Sequence, residues 1–573
     1  MSQDSIKDIS IVLCGAAGQG IATVEVLLSK ILKRSGYNIF STSEFMSRVR
    51  GGINSTTIRV SSKRIRAYCE RIDILIPFTV EAIPHVLNRL TPTTFIIGEK
   101  KYFGDQNSHK CTLIDISFER IAEEVGNRVY SNSVAVGVLT GLFKADRTII
   151  ADVMSERFTR KGQDVIVKNL EAAYRGYDLA EQMIENSEIP LEFNFHPNHA
   201  VTHEMLVNGR DAVALGAIAG GCNYVTFYPM APATGIGAFL ARYRQEFGIV
   251  SDQSEDEISV INKAYGAWYA GARALVTTSG GGFALMTEAL SLIGITESPM
   301  VIHLGQRPGP ATGMPTRTEQ GDLELALYAG HGYFPRIILS PGSLREAYVL
   351  TQKAFNLTDK FQVPVIILTD HYFINSMYNV PPFPTDLPVE KTFIETSQEY
   401  IRYQFTQNGI SPRGIPGYGR GLIRVDSHTH TEDSKITEDP EIRRKSVDKR
   451  LRKLKAIQKE SISPILKGDK DYEILVIGWG STYHLIDEAV KLLAERRDNL
   501  SFLHFNQVYP LHQCVKDYLR KAKKTIIIEN NPTSQFGHLI TRETGIEIDE
   551  SVLKYNGYPF SVEELMERLN QII

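Results

Sequence analysis

An α/β fold in three domains is the class this sequence predicts. Apolar strand runs alternate with helical patterns, and glycine turns sit at the strand-to-helix joins. The clearest are GAAGQG after residues 9–14, SGGG after 272–278 and GWGS after 472–478. The length of 573 residues is enough for about three or four domains. Polar or proline-bearing stretches at 188–204 and 383–463 mark the joins.

Composition narrows the class. The apolar and charged fractions, 43% and 23%, are those of a soluble globular chain. A net charge of −3 offers no electrostatic reason to bind nucleic acid or membrane. No apolar run is long enough to span a bilayer, and MSQDSIKDISIVLCG lacks a signal-peptide pattern. The five cysteines are scattered singly, which predicts a reducing cytoplasm without disulfides. That scatter also argues against a local iron–sulfur motif.

In the first domain, residues 9–14 read as a buried strand and 21–34 as a helix, joined by GAAGQG. Amides at such a turn hold a phosphate. The spacing is GxxGxG, not the GxGxxG of dinucleotide folds. Glu44 falls near the place of a ribose-binding acid, yet the spacing disfavours NAD, and a purely structural turn stays open. Arg48, Arg50 and the pair Gly51–Gly52 precede a strand at 55–60 whose alternation predicts one wet face. The arginines suit a phosphate, a partner's acid or solvent. Residues 73–78 read as a strand, 80–89 as a helix start, and 132–143 as a helix with small residues on one face.

In the middle domain a small-residue helix (211–222) leads to a strand (223–227) and the loop YPMAPATGIG. Pro229 and Pro232 stiffen that loop at the strand end where α/β folds place ligands. Glu255, Asp256 and Glu257 open the next helix, where the dipole alone favours acids. Gly266 lies further along it, where another backbone is expected to approach. Arg307 directly follows the strand 300–305, in a loop fixed by Pro308 and Pro310. Its planar fork matches a carboxylate. Arg317 is a second cation, for a distal carboxylate or for pairing with Glu319, the latter favoured. His331 and His371 read as packed or surface residues, and the chain returns to the surface after the strand 364–369.

The arm after that strand crowds glycine and proline at 409–421, predicting an ordered segment without regular structure. His428 and His430 lack zinc-site spacing. The basic helix 441–460 is expected to pack Val447, Leu451, Leu454 and Ile457 and leave its charges in water. Strands at 472–478, 501–505 and 525–529 make the last domain, with Glu529 and Asn530 read as structural.

Four stretches carry a resemblance: NGRDAVALGAIAGGCNYVTFYPMAP, the QSEDE helix, TTSGGGFALMTEAL and GQRPGPATGMPTRTEQGDL. They resemble the α subunit of the 2-oxoacid:ferredoxin oxidoreductases, and the last is the most specific. The N-terminal part resembles the γ subunit of the same enzymes. The C-terminal part, ending in KYNGYPFSVEEL, is similar to a transketolase C-terminal-like domain. The resemblance implies a γ-type domain at 1–187, a thiamine-diphosphate pyrimidine-binding domain at 205–390, a linker arm with the basic helix at 391–470, and the transketolase-like domain at 471–573.

It also implies roles. Glu257 hydrogen-bonds the aminopyrimidine N1′ of thiamine diphosphate, which prepares the ring to take the C2 proton. Arg307 holds the substrate carboxylate. Arg317 and Thr234 are further substrate candidates, and Pro232 lines the cofactor. Gly18, Gln19, Gly20 and Asn132 are the coenzyme A candidates. The family's YPITP loop carries a threonine where this chain has Ala231; Thr234 does not match that spacing. The GDG of a diphosphate–Mg²⁺ site is missing, with only Gly104–Asp105, Gly321–Asp322 and Gly468–Asp469 as partial matches. No metal set is expected in this chain. Mg²⁺ and a 4Fe–4S cluster are expected in a β subunit, in an (αβ)₂ assembly that passes electrons to ferredoxin. The implied activity is reversible, coenzyme A-dependent oxidative decarboxylation of 2-oxoglutarate. Pyruvate or branched-chain 2-oxoacids, a non-catalytic scaffold and, remotely, an NAD enzyme are the alternatives.

Overall fold

The computed structural model describes residues 8–47, 52–104, 111–189, 196–497 and 499–573. The chain forms two compact units. One is Met1–Val207 with Asn375–Pro382; the other is Asn208–Ile374 with Phe383–Ile573.

The first unit is built on an eight-stranded sheet. Its strands are β1 (Asp8–Ala16), β2 (Asn38–Glu44), β3 (Ile53–Ser61), β4 (Ile74–Pro77), β5 (Phe95–Gly98), β6 (Thr112–Asp115), β7 (Met205–Asn208) and β14 (Met377–Val380). The order is β6-β5-β4-β1-β3-β2-β14-β7. β1 is central, parallel to β4 and antiparallel to β3. It is apolar on both faces because both are covered. Ile9, Ile11 and Leu13 pack under helix Ile21–Arg34, while Val12 and Cys14 meet Leu75 and Ile96 on the other side.

The expected wet face of β3 is absent: residues 55–61 are all buried. Their polar groups are paired instead. Arg59 donates to Asp8 Oδ2 at 2.9 Å and to the Ala67 carbonyl at 2.7 Å. Polar alternation here reflects internal hydrogen bonding in a central strand. Residues 80–89 break into a short helix, Ala82–His85, and a 3-10 turn, Leu87–Arg89. Pro84 inside that stretch lacks an N–H. The small-residue helix runs Ser131–Leu142 and crosses Gln163–Glu185 at Gly137 and Gly176. A Cβ on either glycine would strike the other helix's backbone, at Ala173 or Val134.

The second unit holds two sheets. The larger contains β8 (Tyr224–Phe227), β9 (Val250–Gln253), β10 (Ala274–Ser279), β11 (Met300–Gln306), β12 (Ile337–Leu339) and β13 (Pro364–Asp370). The smaller contains β15 (Ile465–Lys467), β16 (Ile474–Trp479), β17 (Leu500–Phe505), β19 (Lys524–Glu529) and β20 (Glu550–Leu553). β18 (Gln507–Tyr509) comes from the C-terminal part yet completes the larger sheet, in the order β18-β12-β13-β11-β10-β8-β9. Gln320 is a second tie. Its N–H donates to the Asn530 carbonyl at 2.7 Å, and its Oε1 accepts the Asn530 N–H at 2.9 Å. Glu529 is fully buried; it accepts the amides of Phe536 and Gly537 and the Trp479 indole.

Two expectations change here. Residues after β13 do not return to the surface: His371–Asn375 is a buried helical turn, and β14 then joins the first unit's sheet beside β2. The basic helix, Pro440–Lys459, buries Lys449, Arg450, Lys453 and Ile457 and leaves Leu451 exposed. The reason is Glu297, whose two oxygens take Lys449 Nζ at 2.7 Å and Lys453 Nζ at 2.5 Å. The arm before it has no long regular element among the described residues. It is pinned through Arg413, which shares the buried Asp359 with Arg273.

No helix of the described residues is long and apolar enough to cross a membrane.

Candidate active site

The site gathers at the carboxyl end of β10. The preceding helix, Glu257–Tyr269, divides its three opening acids by position. Asp256 is the N-cap and accepts the Ser259 N–H at 2.7 Å. The exposed Glu255 lies 3.6 Å from Lys263. Glu257 turns inward and is 4% exposed. Its Oε1 is buried with no hydrogen-bond partner. Capping explains Asp256, and the dipole favours an acid in the first turn, where Glu257 sits. Neither explains why Glu257 is buried with an oxygen unpaired.

The close approach expected at Gly266 is not there: that glycine is exposed and faces open space. The close approach is at the glycine run instead. A Cβ on Gly282 would stand 2.5 Å from Glu257 Oε1 and strike the Thr278 hydroxyl; one on Gly280 would stand 2.5 Å from Asp322 Oδ2. The run is a bare saddle with a carboxyl on each side. Asp322 occupies the N-cap position of helix Leu323–Tyr328 without capping it. Its Oδ2, like the Ser279 hydroxyl, is buried and unpartnered. Each such atom costs about 1–3 kcal/mol. Three around one strand end are an investment that the chain itself does not recover.

β11 supplies the other wall. The Gln306 amide accepts the Asp322 N–H at 3.0 Å and donates to the Thr369 carbonyl at 3.2 Å. Arg307 donates to the Ala231 carbonyl at 2.8 Å. Gly305 leaves room for Pro232, whose ring would be 3.0 Å from a Cβ there. The peptide bond before Pro232 is cis. Thr234 opens the following helix, half-buried, with its N–H on the Met230 carbonyl. Below the loop, His303 bridges Thr277 (3.0 Å) and Thr369 (2.8 Å), and Thr277 reaches the Ala233 carbonyl at 3.3 Å. Burial pushes His303 down to about 3, so it is neutral.

The charges around Arg307 interact. Burial first, then Arg317 and Arg307, push the buried His371 down to about 4. Burial first, then Glu319, raises Asp322 to about 7 against the pull of Arg307. Arg317 is 8% exposed, and its guanidinium stands over the Tyr558 ring at 4.9 Å from the centroid. Glu319 is raised by burial. Sequence reasoning brought Glu257, Arg307 and Pro232 to this region and missed Asp322, Gln306 and His303. The available signal for Asp322 was its place inside the GQRPGPATGMPTRTEQGDL stretch, read only against a metal pattern.

Two family models match the chain. Residues 215–449 match the thiamine diphosphate-binding domain of pyruvate flavodoxin/ferredoxin oxidoreductase, and residues 10–179 match pyruvate ferredoxin/flavodoxin oxidoreductase. The 2-oxoacid:ferredoxin oxidoreductase subunit alpha of a Sulfolobus species is 29% identical over 99% of this chain and 97% of its own length. The 2-oxoglutarate synthase subunit KorA of Archaeoglobus fulgidus is 33% identical over 61% of this chain and 99% of its own. The chain belongs to the α subunits of the 2-oxoacid:ferredoxin oxidoreductases, with a fused γ domain. The α subunit also shares its fold with the 2-oxoglutarate:ferredoxin oxidoreductase of Magnetococcus marinus, solved with 2-oxoglutarate, coenzyme A and succinyl-CoA bound. The TM-score is 0.92 at 28% identity, over 99% of this chain and 100% of the other.

In this α subunit, the saddle and both carboxyls lie within the segment matching the thiamine diphosphate-binding domain. The donor set fits that cofactor: a buried carboxyl oxygen without a partner, and glycines that leave a flat ring room. In the γ-type unit, the Gln19 side chain serves its own loop. It accepts the Ala16 N–H at 2.8 Å and donates to the Phe78 carbonyl at 3.0 Å. Asn132 donates to the Gln19 carbonyl at 3.0 Å and lies against Gly20, while Gly18 faces open space. Arg48, Arg50 and Gly51 lie outside the described residues.

Proposed function

We propose that this chain is the γ-fused α subunit of a 2-oxoglutarate:ferredoxin oxidoreductase, active with a β subunit. The observation that carries the reading is the buried, unpartnered Oε1 of Glu257 beside Gly282. Thiamine diphosphate, when bound, supplies a carbon nucleophile for the keto group and a sink for the electron pair released with carbon dioxide. Glu257 holds a proton against the cofactor's ring nitrogen. Pro232 and the bare glycines shape the slot, and Arg307 orients the carboxylate that every 2-oxoacid carries beside its ketone. Arg317 and Thr234 serve the rest of the substrate.

Gly18, Gln19, Gly20 and Asn132 form the coenzyme A loop. Because the Gln19 and Asn132 side chains brace it, backbone amides are what they offer a phosphate. The β subunit brings Mg²⁺ and the 4Fe–4S cluster, ferredoxin takes the electrons, and the pair assembles as (αβ)₂ in a reducing cytoplasm. With a strong reductant the same site fixes carbon dioxide.

The α subunit copurified with its partner chain tests this. Ferredoxin reduction should be fastest with 2-oxoglutarate. Faster reduction with pyruvate or a branched-chain 2-oxoacid overturns the substrate assignment, and no reduction with any of them favours a scaffold.

A further inference from the structure

One carboxyl of the site, Asp322, has no part in that function so far, and the role assigned to it rests on the oxidoreductase reading. Asp322 stands where a side chain ordinarily caps a helix, and it does not cap. It is near Arg307, yet Arg307 Nη1 donates to the Ala231 carbonyl, and the arginine acts on Asp322 only through space. One carboxyl oxygen is buried against the bare Cα of Gly280 with no partner. Its backbone is fixed by Gln306, which is itself anchored on β13 through the Thr369 carbonyl. That oxygen is positioned by the fold and hydrogen-bonded by none of it.

We propose that Asp322 binds the 2-oxoacid as a neutral acid, donating a hydrogen bond to the substrate carboxylate that Arg307 holds.

The charges that face it decide its state. Glu319, on its own loop, repels a charged Asp322, and Arg307, at the end of β11, attracts one; the helix Gly280–Leu285 packed against it carries no charge. Burial and Glu319 outweigh the arginine. An incoming carboxylate neutralises Arg307, which removes the one attraction that favoured ionisation. Substrate binding therefore keeps the proton on Asp322 or takes one from solvent. Where the proton comes from solvent, the Asp322 O–H bond forms as an O–H bond of hydronium breaks; no bond of the substrate changes, and the proton stays on Asp322 while the substrate is bound. A charged Asp322 facing the same carboxylate would repel it, so binding weakens as pH rises through about 7.

The test is the pH profile of KM for 2-oxoglutarate, measured on the complex of this chain with its partner. In wild type, KM should be flat in mild acid and climb above neutrality toward about tenfold per pH unit. Asp322→Asn keeps a permanent donor, so its KM should stay low and flat across the range. Asp322→Ala removes the donor and should raise KM about tenfold or more at every pH. A structural role would not flatten the profile in the asparagine variant. An infrared pH titration of the full chain reads the proton without turnover: an acid carbonyl band lost near neutrality in wild type and missing from Asp322→Asn. Wild-type turnover with the same pH slope in Asp322→Asn overturns this inference alone, as does the missing band in wild type. Wild type inert toward every 2-oxoacid overturns the functional reading and this inference with it.

Discussion

Glu257 and Glu297 are both 4% exposed and belong to the same unit. Their surroundings differ in kind. Glu297 is answered on both oxygens by Lys449 and Lys453, with the Arg402 charge nearby. Burial alone would raise its pKa, but the three cations hold it well below the ordinary carboxylate range. Glu257 keeps one oxygen unanswered, beside glycines that a methyl group would jam. An acid satisfied within the chain holds architecture together. An acid left unsatisfied at the same depth is, on the proposed function, one that a bound cofactor answers.

Substitution should separate the two. Glu257→Gln should lower kcat by roughly 10²–10⁴ while leaving the melting temperature of the purified complex unchanged or raised. Glu297→Gln should do the opposite. It strands two buried lysines, at a cost of about 3–5 kcal/mol, seen as a lower denaturant midpoint with near-normal turnover per folded molecule. Gly282→Ala puts a methyl group into the carboxyl and should cut kcat/KM roughly tenfold to a hundredfold, whereas a surface role for that glycine predicts no change.

The two kinds of acid also differ in the sign of their pH dependence. The pKa of Glu297 is depressed on folding, so its contribution is present above the unfolded value of about 4.3 and is lost as pH falls toward the folded one. Asp322 is raised to about 7, so its cost is absent below the ordinary aspartate value of about 3.9, grows as pH climbs from there and is complete above about 7. Thermal melts should show Asp322→Asn more stable than wild type at about pH 8, converging near pH 4. The smallest effect is at Gly266, exposed in a helix interior and facing open space. Gly266→Ala should stabilise by up to about 1 kcal/mol and leave turnover alone; a loss of activity would show that something approaches that face.

Much of the fold was legible because it is local. The strand 9–14 and helix 21–34 lie within two residues of β1 and Ile21–Arg34, and the strand before Arg307 ends at Gln306. What could not be read depends on distant partners. The burial of Lys449 and Lys453 needs Glu297, from another part of the chain. The polar face of β3 is buried because Asp8 and Ala67 receive Arg59. β14 looks like part of the middle domain until it pairs with β2. In the site, Glu257 was visible from its flanks. Gly282 and Gly280, not Gly266, proved to be the close approach, because the contact is made by a turn meeting two side chains. Asp322 had only its place in the GQRPGPATGMPTRTEQGDL stretch as a signal: an aspartate before a helix reads as a cap, and only coordinates reveal one that does not cap.

On this account Glu257 keeps its free oxygen for the ring nitrogen of thiamine diphosphate. The most direct measurement is the exchange of the cofactor's C2 proton for deuterium, by rapid acid quench and proton NMR on the purified complex. Wild type should exchange it far faster than free cofactor, and Glu257→Gln should lose most of that acceleration while still folded and still holding the cofactor. Equal exchange rates in the two proteins would contradict the account.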